Sequence, residues 1–467
     1  AWKKRCVQEK IKTFRGVCCP IPRMSQSHPI EEEAARQDYI DNVFIEVRPG
    51  HPQYTAEEER LEDYGRCSKC NEIRTGIDKY KWCKSCNATH FRQGFSTWTS
   101  GYAEIDYFIQ NAQIHACYHK LVLEWYPWEK FSDIEKIGEG GYGTVFRAKN
   151  NMGRILEWDQ QNNKWLRFEI DEYVALKTIG HSESPSKEFL NEAKRLQRWD
   201  YQSHNYTAFY GFTKNETTGQ YLLVLRYFEG DLRKQLQRQS ITWEEKLEMI
   251  HAISRDMKDI HQTRMIHRDL HPGNVLYSGH CQIGDLGLSV LESEADEIKD
   301  IMGVMPYVAP EILCGRSSYS QGTDVYAFGI IMWEISSQKK PYHQFKHDIN
   351  LALQICKGLR PEITNDTPPF YQDLIEKCWH TDLTKRPTAK EIYNLTHMWH
   401  KNPTLTIRDQ INKANEIRQQ NIGKKEETQT HPGAFYTSRL LTNITNELAS
   451  MISKFPDDAF DWLIDDK

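Results

Sequence analysis

With 467 residues, 39% of them hydrophobic and 27% charged, the chain is long enough for two or three domains with buried cores. A net charge of −5, from 60 basic and 65 acidic residues, gives no general pull toward nucleic acid or membrane surfaces. No apolar run reaches the roughly 18 residues of a spanning helix, and the N-terminus, which begins at Ala1, has no run resembling a signal peptide. Ala1 in place of Met suggests a processed or incomplete chain. Twelve cysteines without a secretion signal point to a reducing, cytoplasmic setting, where paired cysteines bind metal more often than they form disulfides.

Residues 1–60 read as a partly ordered leader. Cys6, Cys18 and Cys19 are irregularly spaced; Ile30 to Arg36 suggests a short charged helix and Val43 to Val47 a strand. Pro49, His51 and Pro52 then break regular structure. Residues 61–100 carry a sharper signal, Cys67-Ser68-Lys69-Cys70 and, twelve residues later, Cys83-Lys84-Ser85-Cys86. Each Cys-x-x-Cys turn aims two thiolates at one point, and two such turns make a tetrahedral sulfur site of the kind structural zinc prefers. A pair of disulfides competes but is disfavoured by the compartment. A redox pair competes too, but it would need only one Cys-x-x-Cys. Phe91, Phe95 and Trp98 are expected to pack beside this zinc-ribbon-like module.

Residues 101–130 show Ile105, Phe108, Ile109 and Ala112 at helical spacing, a linker helix with one apolar face. Trp125, Tyr126, Trp128 and Phe131 then enter the next core. Residues 131–180 read as three strands. Their first turn is Gly138-Glu139-Gly140-Gly141-Tyr142-Gly143, and Thr144-Val145-Phe146 continues as strand. A dinucleotide fold would run from such a turn into a helix. Glycines here let backbone N–H groups approach phosphate oxygens. After an insertion at 149–170, the third strand ends Val174-Ala175-Leu176-Lys177. The helix Ser186 to Arg198 carries Glu188 and Glu192 one turn apart on one face. Tyr221 to Leu225 reads as a buried strand, and Ile250 to His261 as part of a long helix.

Next comes Ile266-His267-Arg268-Asp269-Leu270-His271-Pro272-Gly273-Asn274, and eleven residues after Asn274 the turn Gly284-Asp285-Leu286-Gly287. Two carboxylates and an amide on neighbouring turns suit magnesium, which takes oxygen ligands. The carboxylate left free of metal can accept a hydroxyl proton.

Together these motifs resemble protein kinases over about residues 131–400: H-R-D-L-x-x-x-N at 267–274, D-F-G read here as Asp-Leu-Gly, V-A-I-K ending at Lys177, and Ala309-Pro310-Glu311. Asp324-Val325-Tyr326-Ala327-Phe328-Gly329, Cys378-Trp379 and Arg386-Pro387 extend it, and the Trp-containing helices look most like the tyrosine-kinase-like group. The resemblance implies an α+β, two-lobed fold with a β-rich N-lobe and a helical C-lobe, and transfer of the γ-phosphate of ATP to protein substrates. It implies that Gly138, Glu139, Gly140, Gly141, Tyr142, Gly143, Val145, Ala175, Leu225 and Phe228 surround ATP. Leu225 guards the pocket's rear, before a hinge at Arg226-Tyr227-Phe228. Lys177 holds the α- and β-phosphates, with Glu192 as its partner and Glu188 as the fallback. Asp269 orients or accepts the hydroxyl proton, Asn274 and Asp285 hold magnesium, and Glu311 pairs with Arg386. Leu196 faces Leu286.

The acceptor residue is harder to read. Ser/Thr kinases usually carry Lys two positions after the catalytic Asp and a Thr after Gly before A-P-E; here these are His271 and Val304. Leu270-His271-Pro272-Gly273 and Met305-Pro306-Tyr307-Val308 do not match tyrosine kinases either. The tyrosine-kinase-like resemblance favours Ser/Thr, with activity depending on pH through His271, since free imidazole titrates near about 6.5. Arg268 is expected to bind a phosphate on Ser289 or Ser293, a charge that Glu292, Glu294, Asp296 and Glu297 could partly replace. Residues 401–467 read as a polar tail, solvated over Glu416 to Thr430, with an amphipathic end at Ala459, Phe460, Trp462, Leu463 and Ile464.

A scaffold reading remains: a pseudokinase that binds nucleotide and recruits a protein partner through the four-cysteine module, hinted at by Leu286. A nucleic-acid adaptor, based on Lys69, Arg74, Lys79, Lys81 and Lys84, is disfavoured because such local charge is usually a solvated face.

Overall fold

The computed structural model describes residues 61, 64–75, 82–140, 143–180, 184–203, 208–238, 241–421 and 429–453. The leader at 1–60 and the amphipathic end at Ala459–Ile464 lie outside the described residues.

The cysteine module is small. Cys67 and Cys70 flank a turn closed by the Asn71 N–H donating to the Cys67 carbonyl at 2.9 Å, and Arg66 bridges Ile73 in antiparallel fashion. Cys83 is the residue that starts helix α1, Lys84–Gly94. Helix α2, Ala103–His115, buries Ile105, Phe108, Ile109 and Ala112 on one stripe, the period-3.6 pattern that the sequence shows. Trp82 ties the module to this linker, its indole N–H donating to the Ala116 carbonyl at 2.9 Å.

The N-lobe is a six-stranded sheet in the order β1-β7-β8-β6-β3-β2. Its strands are β1 (Glu124–Trp125), β2 (Phe131–Gly140), β3 (Gly143–Asn150), β6 (Glu172–Thr178), β7 (Phe209–Lys214) and β8 (Tyr221–Arg226). Alternation along the strands divides the faces. Ala148, Val174, Leu176, Leu222 and Val224 point into a core with Tyr126, Phe131 and Tyr210, while Ala175 and Lys177 fall on the opposite face, toward the interlobe cleft.

The insertion folds as a hairpin, β4 (Arg154–Asp159) with β5 (Lys164–Phe168), in which Trp158 opposes Trp165. This hairpin docks on α1: His90 stacks on Trp158 at 4.1 Å and Phe91 on Trp165 at 4.4 Å. Such ring pairs contribute about 0.5–1.5 kcal/mol each beyond the area they bury. Arg167 anchors the hairpin base to the buried carboxylate of Glu124 at 2.6 Å. Of the aromatics expected beside the cysteines, Phe91 is therefore shared with the N-lobe, while Phe95 and Trp98 are half-buried.

Helix α3 (Lys187–Gln202), which packs on the N-lobe sheet through Phe189 against Phe212, is capped by Ser186, whose hydroxyl accepts from the Phe189 N–H. The C-lobe is helical, and its α4 (Trp243–Gln262) starts in a capping box of Thr242 and Glu245. Helix α5 (Gln321–Ser337) is buried along nearly its whole length. Arg386, its side chain 1% exposed, reaches both oxygens of Glu311 at 2.7 and 2.8 Å. Cys314 and Cys356 meet inside this lobe with Cα atoms 6.7 Å apart.

The polar tail expected from residue 401 is instead largely built into the C-lobe. Helix α6 (Leu405–Asn421) buries Ile407, Ile411 and Ala414 at helical spacing, and its Asn415 and Arg418 bind Trp243 and Asp366. Residues 429–453 return along the C-lobe face, burying Tyr436, Leu441 and Leu448. Average composition misleads here, because one apolar residue per turn suffices to dock a helix whose other positions are charged.

Candidate active site

Asp324, near the start of α5, organises the catalytic loop. Its carboxylate, 2% exposed, accepts the backbone N–H groups of His267 at 2.8 Å and Arg268 at 3.0 Å, and the His261 ring nitrogen at 2.9 Å. A buried carboxylate keeps its charge when surrounded by donors. The grip holds Arg268 in the left-handed region at φ 70°, which turns the next side chain, Asp269, toward the cleft. The His267 ring bonds the Gly284 carbonyl at 3.0 Å, and the Gly284 N–H donates to the Asn274 carbonyl at 2.8 Å, so the two acidic turns are fastened to each other.

Asp269 is 8% exposed, and Asn274 donates from Nδ2 to its carbonyl at 2.9 Å and to Oδ2 at 3.2 Å. Burial works to raise the Asp269 carboxyl, but hydrogen bonds involving His271 and Ser438 outweigh it and hold the group below the ordinary carboxylate range. His271 Nδ1 faces the N–H of Gly273 at 3.0 Å and a guanidinium nitrogen of Arg233 at 3.4 Å. Two donors keep Nδ1 an acceptor and put the ring proton on Nε2, which lies 3.1 Å from Ser438 Oγ. A Cβ on Gly273 would stand 2.9 Å from that ring, so the loop needs glycine there.

On the other side of the cleft, Lys177 donates to Glu192 Oε1 at 2.9 Å and to Asp285 Oδ1 at 2.7 Å. Burial works against the ammonium, but Asp285 and Glu192 outweigh it and hold Lys177 above the usual lysine range. Asp285, at φ 55°, is 45% exposed through the open cleft, yet protein surrounds its backbone side. Burial there is offset by the Lys177 ammonium, which holds the carboxyl at about 2. Glu192 rather than Glu188 is the partner of Lys177; Glu188 lies exposed on the same helix. Leu196 and Leu286 are both buried.

Gly138, Glu139 and Gly140 end β2, and Gly140 pairs with Gly143 at the start of β3; Gly141 and Tyr142 lie outside the described residues. Gly143 sits at φ 151°, where a Cβ would approach the Thr178 carbonyl to 2.0 Å. Val145 pairs with Lys177, and Ala175 with Leu225, which lines the half-buried Val145, Ala175 and Leu225 and the buried Lys177 along one wall; Phe228 follows, 8% exposed.

Asn274 spends its amide nitrogen on Asp269, which leaves the amide oxygen as an acceptor, on a turn whose backbone is fastened to the turn carrying the solvent-facing Asp285 carboxylate. This oxygen set fits magnesium. In the module, Cys67 and Cys86 sulfurs lie 3.7 Å apart and Cys70 and Cys83 sulfurs 3.5 Å apart, and all four fall within 4.8 Å. A tetrahedral zinc with bonds of about 2.3 Å needs sulfurs about 3.8 Å apart, so the cluster fits that ion. Burial and backbone donors divide the thiols: burial works to raise Cys67, but N–H groups of Cys70 and Lys69 bring it down to about 6. Cys86 is pushed up to about 11 by burial, as a thiol crowded among others without a cation would be.

Two expectations change. Ser289 is fully buried and its hydroxyl donates to the Leu286 carbonyl at 2.7 Å, so it is not placed to take a phosphate. Arg268 is already engaged, with the Leu288 and Asp300 carbonyls at 3.0 and 3.2 Å and over the Tyr319 ring at 4.5 Å. The spacing that identified the loop contained no information about what fills its donors. Asp324 and Ser438 were not singled out; only the Asp324 motif carried a signal, without a role.

Residues 131–395 match the family model described as protein tyrosine and serine/threonine kinase. Among curated proteins, receptor-interacting serine/threonine-protein kinase 4 of Mus musculus is 26% identical over 308 residues, 62% of this chain and 36% of that protein. A probable serine/threonine-protein kinase of Dictyostelium discoideum is 40% identical over 146 residues, 31% of this chain and 16% of its own. A probable LIM domain-containing serine/threonine-protein kinase of the same organism is 32% identical over 268 residues, 56% of this chain and 38% of its own. The matches thus span well under half of each relative's length. Since the family model covers more than half of the chain, and Lys177, Asp269, Asn274 and Asp285 converge on one cleft, the chain belongs to the protein tyrosine and serine/threonine kinase family.

Proposed function

We propose that the chain is an ATP-dependent kinase of protein serine and threonine hydroxyls, of the tyrosine-kinase-like group, acting in the cytoplasm. The observation that carries this is the ammonium of Lys177 bridging Glu192 and Asp285 across the cleft from Asp269. Positioning and charge stabilisation do most of the work in phosphoryl transfer, so this rigid placement is the chemistry. Lys177 orients the phosphates, and Glu192 keeps Lys177 extended. Val145, Ala175, Leu225 and Phe228 form apolar walls for adenine. Asp269 holds the acceptor hydroxyl and takes its proton. Asn274 and Asp285 would hold magnesium, which supplies neutralising charge to the phosphates when bound. The serine/threonine choice is supported by the printed names of the relatives.

Phosphoamino-acid analysis after incubation of the purified chain with Mg-ATP and a mixed protein substrate tests the reading. Phosphoserine and phosphothreonine are expected, and a label mostly on tyrosine contradicts the acceptor assignment. No label contradicts the enzyme.

The four cysteines hold structural zinc in this reading, with no open position for catalysis. The module braces the N-lobe through the Trp158–Trp165 hairpin, and a protein partner of the module would have to use its remaining surface. Purified protein should carry about one zinc equivalent. A strong chelator should unfold residues 64–100 and change the fluorescence of Trp165, which stacks on Phe91, while the C-lobe stays folded. Freshly purified protein without zinc contradicts this.

A further inference from the structure

The catalytic carboxylate already has a hydroxyl on it. Ser438, from the returning tail, donates to Asp269 Oδ2 at 2.6 Å, and its oxygen lies 3.1 Å from His271 Nε2. The arrangement is built by the backbone. Strand β11 (Met302–Gly303), between the Asp-Leu-Gly turn and the Ala-Pro-Glu motif, pairs antiparallel with β12 (Arg439–Leu440), Gly303 facing Arg439 and Met302 facing Leu440. The Leu441 N–H extends the ladder to the Ile301 carbonyl at 2.7 Å, and the Ile301 N–H donates to Thr442 Oγ1 at 3.0 Å. Strand addition of this kind is how extended peptides are held on a sheet edge, main-chain bonds giving affinity and side-chain pockets giving register.

Side chains fix the register at Ser438. Tyr436, 8% exposed, donates its hydroxyl to the Pro341 carbonyl at 2.9 Å, and Arg439 reaches the His347 carbonyl at 2.6 Å. Gly303 has φ 146°, a backbone conformation that favours glycine, and a Cβ there would stand 3.2 Å from Val308 Cγ2 and 3.5 Å from Asp269 Oδ1, so the tail's partner strand runs beside the catalytic carboxylate. After the strand, α7 (Thr442–Ile452) buries Leu448 on the C-lobe. Thr437, one residue earlier, is exposed, as alternation along an extended segment requires.

A segment that merely covered the groove would need no nucleophile at Asp269. We propose that residues 429–453 are a tethered substrate and that Ser438 is phosphorylated by its own kinase domain, within one molecule. This rests on the kinase reading above. Ser438 Oγ bonds to the γ-phosphorus of ATP while the bond from that phosphorus to the β–γ bridging oxygen breaks. ADP leaves with that oxygen, and the hydroxyl proton passes to Asp269 Oδ2 and on to solvent. The product carries nearly two negative charges, which cannot remain against the Asp269 carboxylate. The two-pair strand then releases and opens the groove to other substrates.

The test uses the full chain, dephosphorylated and then given Mg-ATP, with a degenerate serine/threonine peptide library as external acceptor and phosphosites read by mass spectrometry. Ser438 should be modified with a rate constant that stays the same over about a hundredfold dilution of enzyme, because the tail is held at an effective concentration that dilution does not change. Thr437→Ala should leave that rate in place, and Ser438→Ala should abolish the tail signal while library peptides are still modified. An inactive Asp269→Asn chain mixed with a trace of active enzyme should stay unmodified at Ser438. Library phosphorylation with Ser438 untouched overturns the proposal, and so does a Ser438 rate that rises with enzyme concentration. A chain that modifies neither acceptor overturns the kinase reading and the tethered substrate together.

Discussion

Asp269→Asn is expected to lower kcat by about 10²–10⁴, the usual worth of a positioned acid–base group. The change keeps the shape of the side chain. It keeps an acceptor for Asn274, which donates to Asp269 at 3.2 Å, and it leaves the Asp324 grip on the loop backbone intact. What it removes is the negative charge that takes the hydroxyl proton. The hydrogen bonds that hold this carboxyl below the ordinary range show a site built to keep it ionised. Nucleotide binding should be little affected, because Lys177, Val145, Ala175 and Leu225 lie on the other lobe. A steady-state assay at saturating ATP checks this, and a variant with undiminished kcat would remove Asp269 from the mechanism.

Arg386→Met should destabilise the C-lobe by about 3–5 kcal/mol, the range for removing one member of a buried ion pair. Arg386 is 1% exposed at its side chain and Glu311 13%, so solvent cannot rescue the carboxylate left behind. The loss is larger than that of a surface pair because the Arg386 guanidinium also caps the Gly322 and His380 carbonyls, at 2.9 and 2.8 Å. Glu311 belongs to the segment that follows β11, so the substrate groove should loosen along with the lobe. Adding Glu311→Leu should recover part of the stability, since two apolar groups avoid the stranded charge. Urea unfolding followed by tryptophan fluorescence checks both variants; a loss under about 1 kcal/mol for Arg386→Met would mean that the pair is structurally idle.

The kinase lobes were legible because their chemistry is short-range in sequence. Asp269 and Asn274 share one loop, Val174 to Lys177 one strand, and each turn is punctuated by glycine or proline. Helix periodicity narrowed the partner of Lys177 to Glu188 and Glu192 on one face, and the resemblance to protein kinases chose Glu192, which the structure pairs with Lys177. The tail was not legible. Ser438 meets Asp269 from 169 residues away, through a strand of two residue pairs that leaves no alternation pattern to read. The hairpin between β3 and β6 was seen only as an insertion. Its two tryptophans signal a partner surface, but nothing in the sequence says that the surface is α1 of the cysteine module. The switch at Ser289 failed for a related reason: only the fold shows that this serine, between Leu288 and Val290, has its hydroxyl bonded to Leu286, while Ser293, the other serine offered, is exposed.

Transfer of labelled γ-phosphate is the most direct measurement of whether Lys177, Asp269, Asn274 and Asp285 form a working phosphotransferase. The purified full chain, incubated with Mg-ATP labelled at the γ position, should place label on protein serine and threonine. Asp269→Asn and Lys177→Met should lose at least about 99% of it, the low end of what a catalytic group contributes. Unlabelled protein from the wild-type chain, or equal labelling by all three, would contradict the assignment.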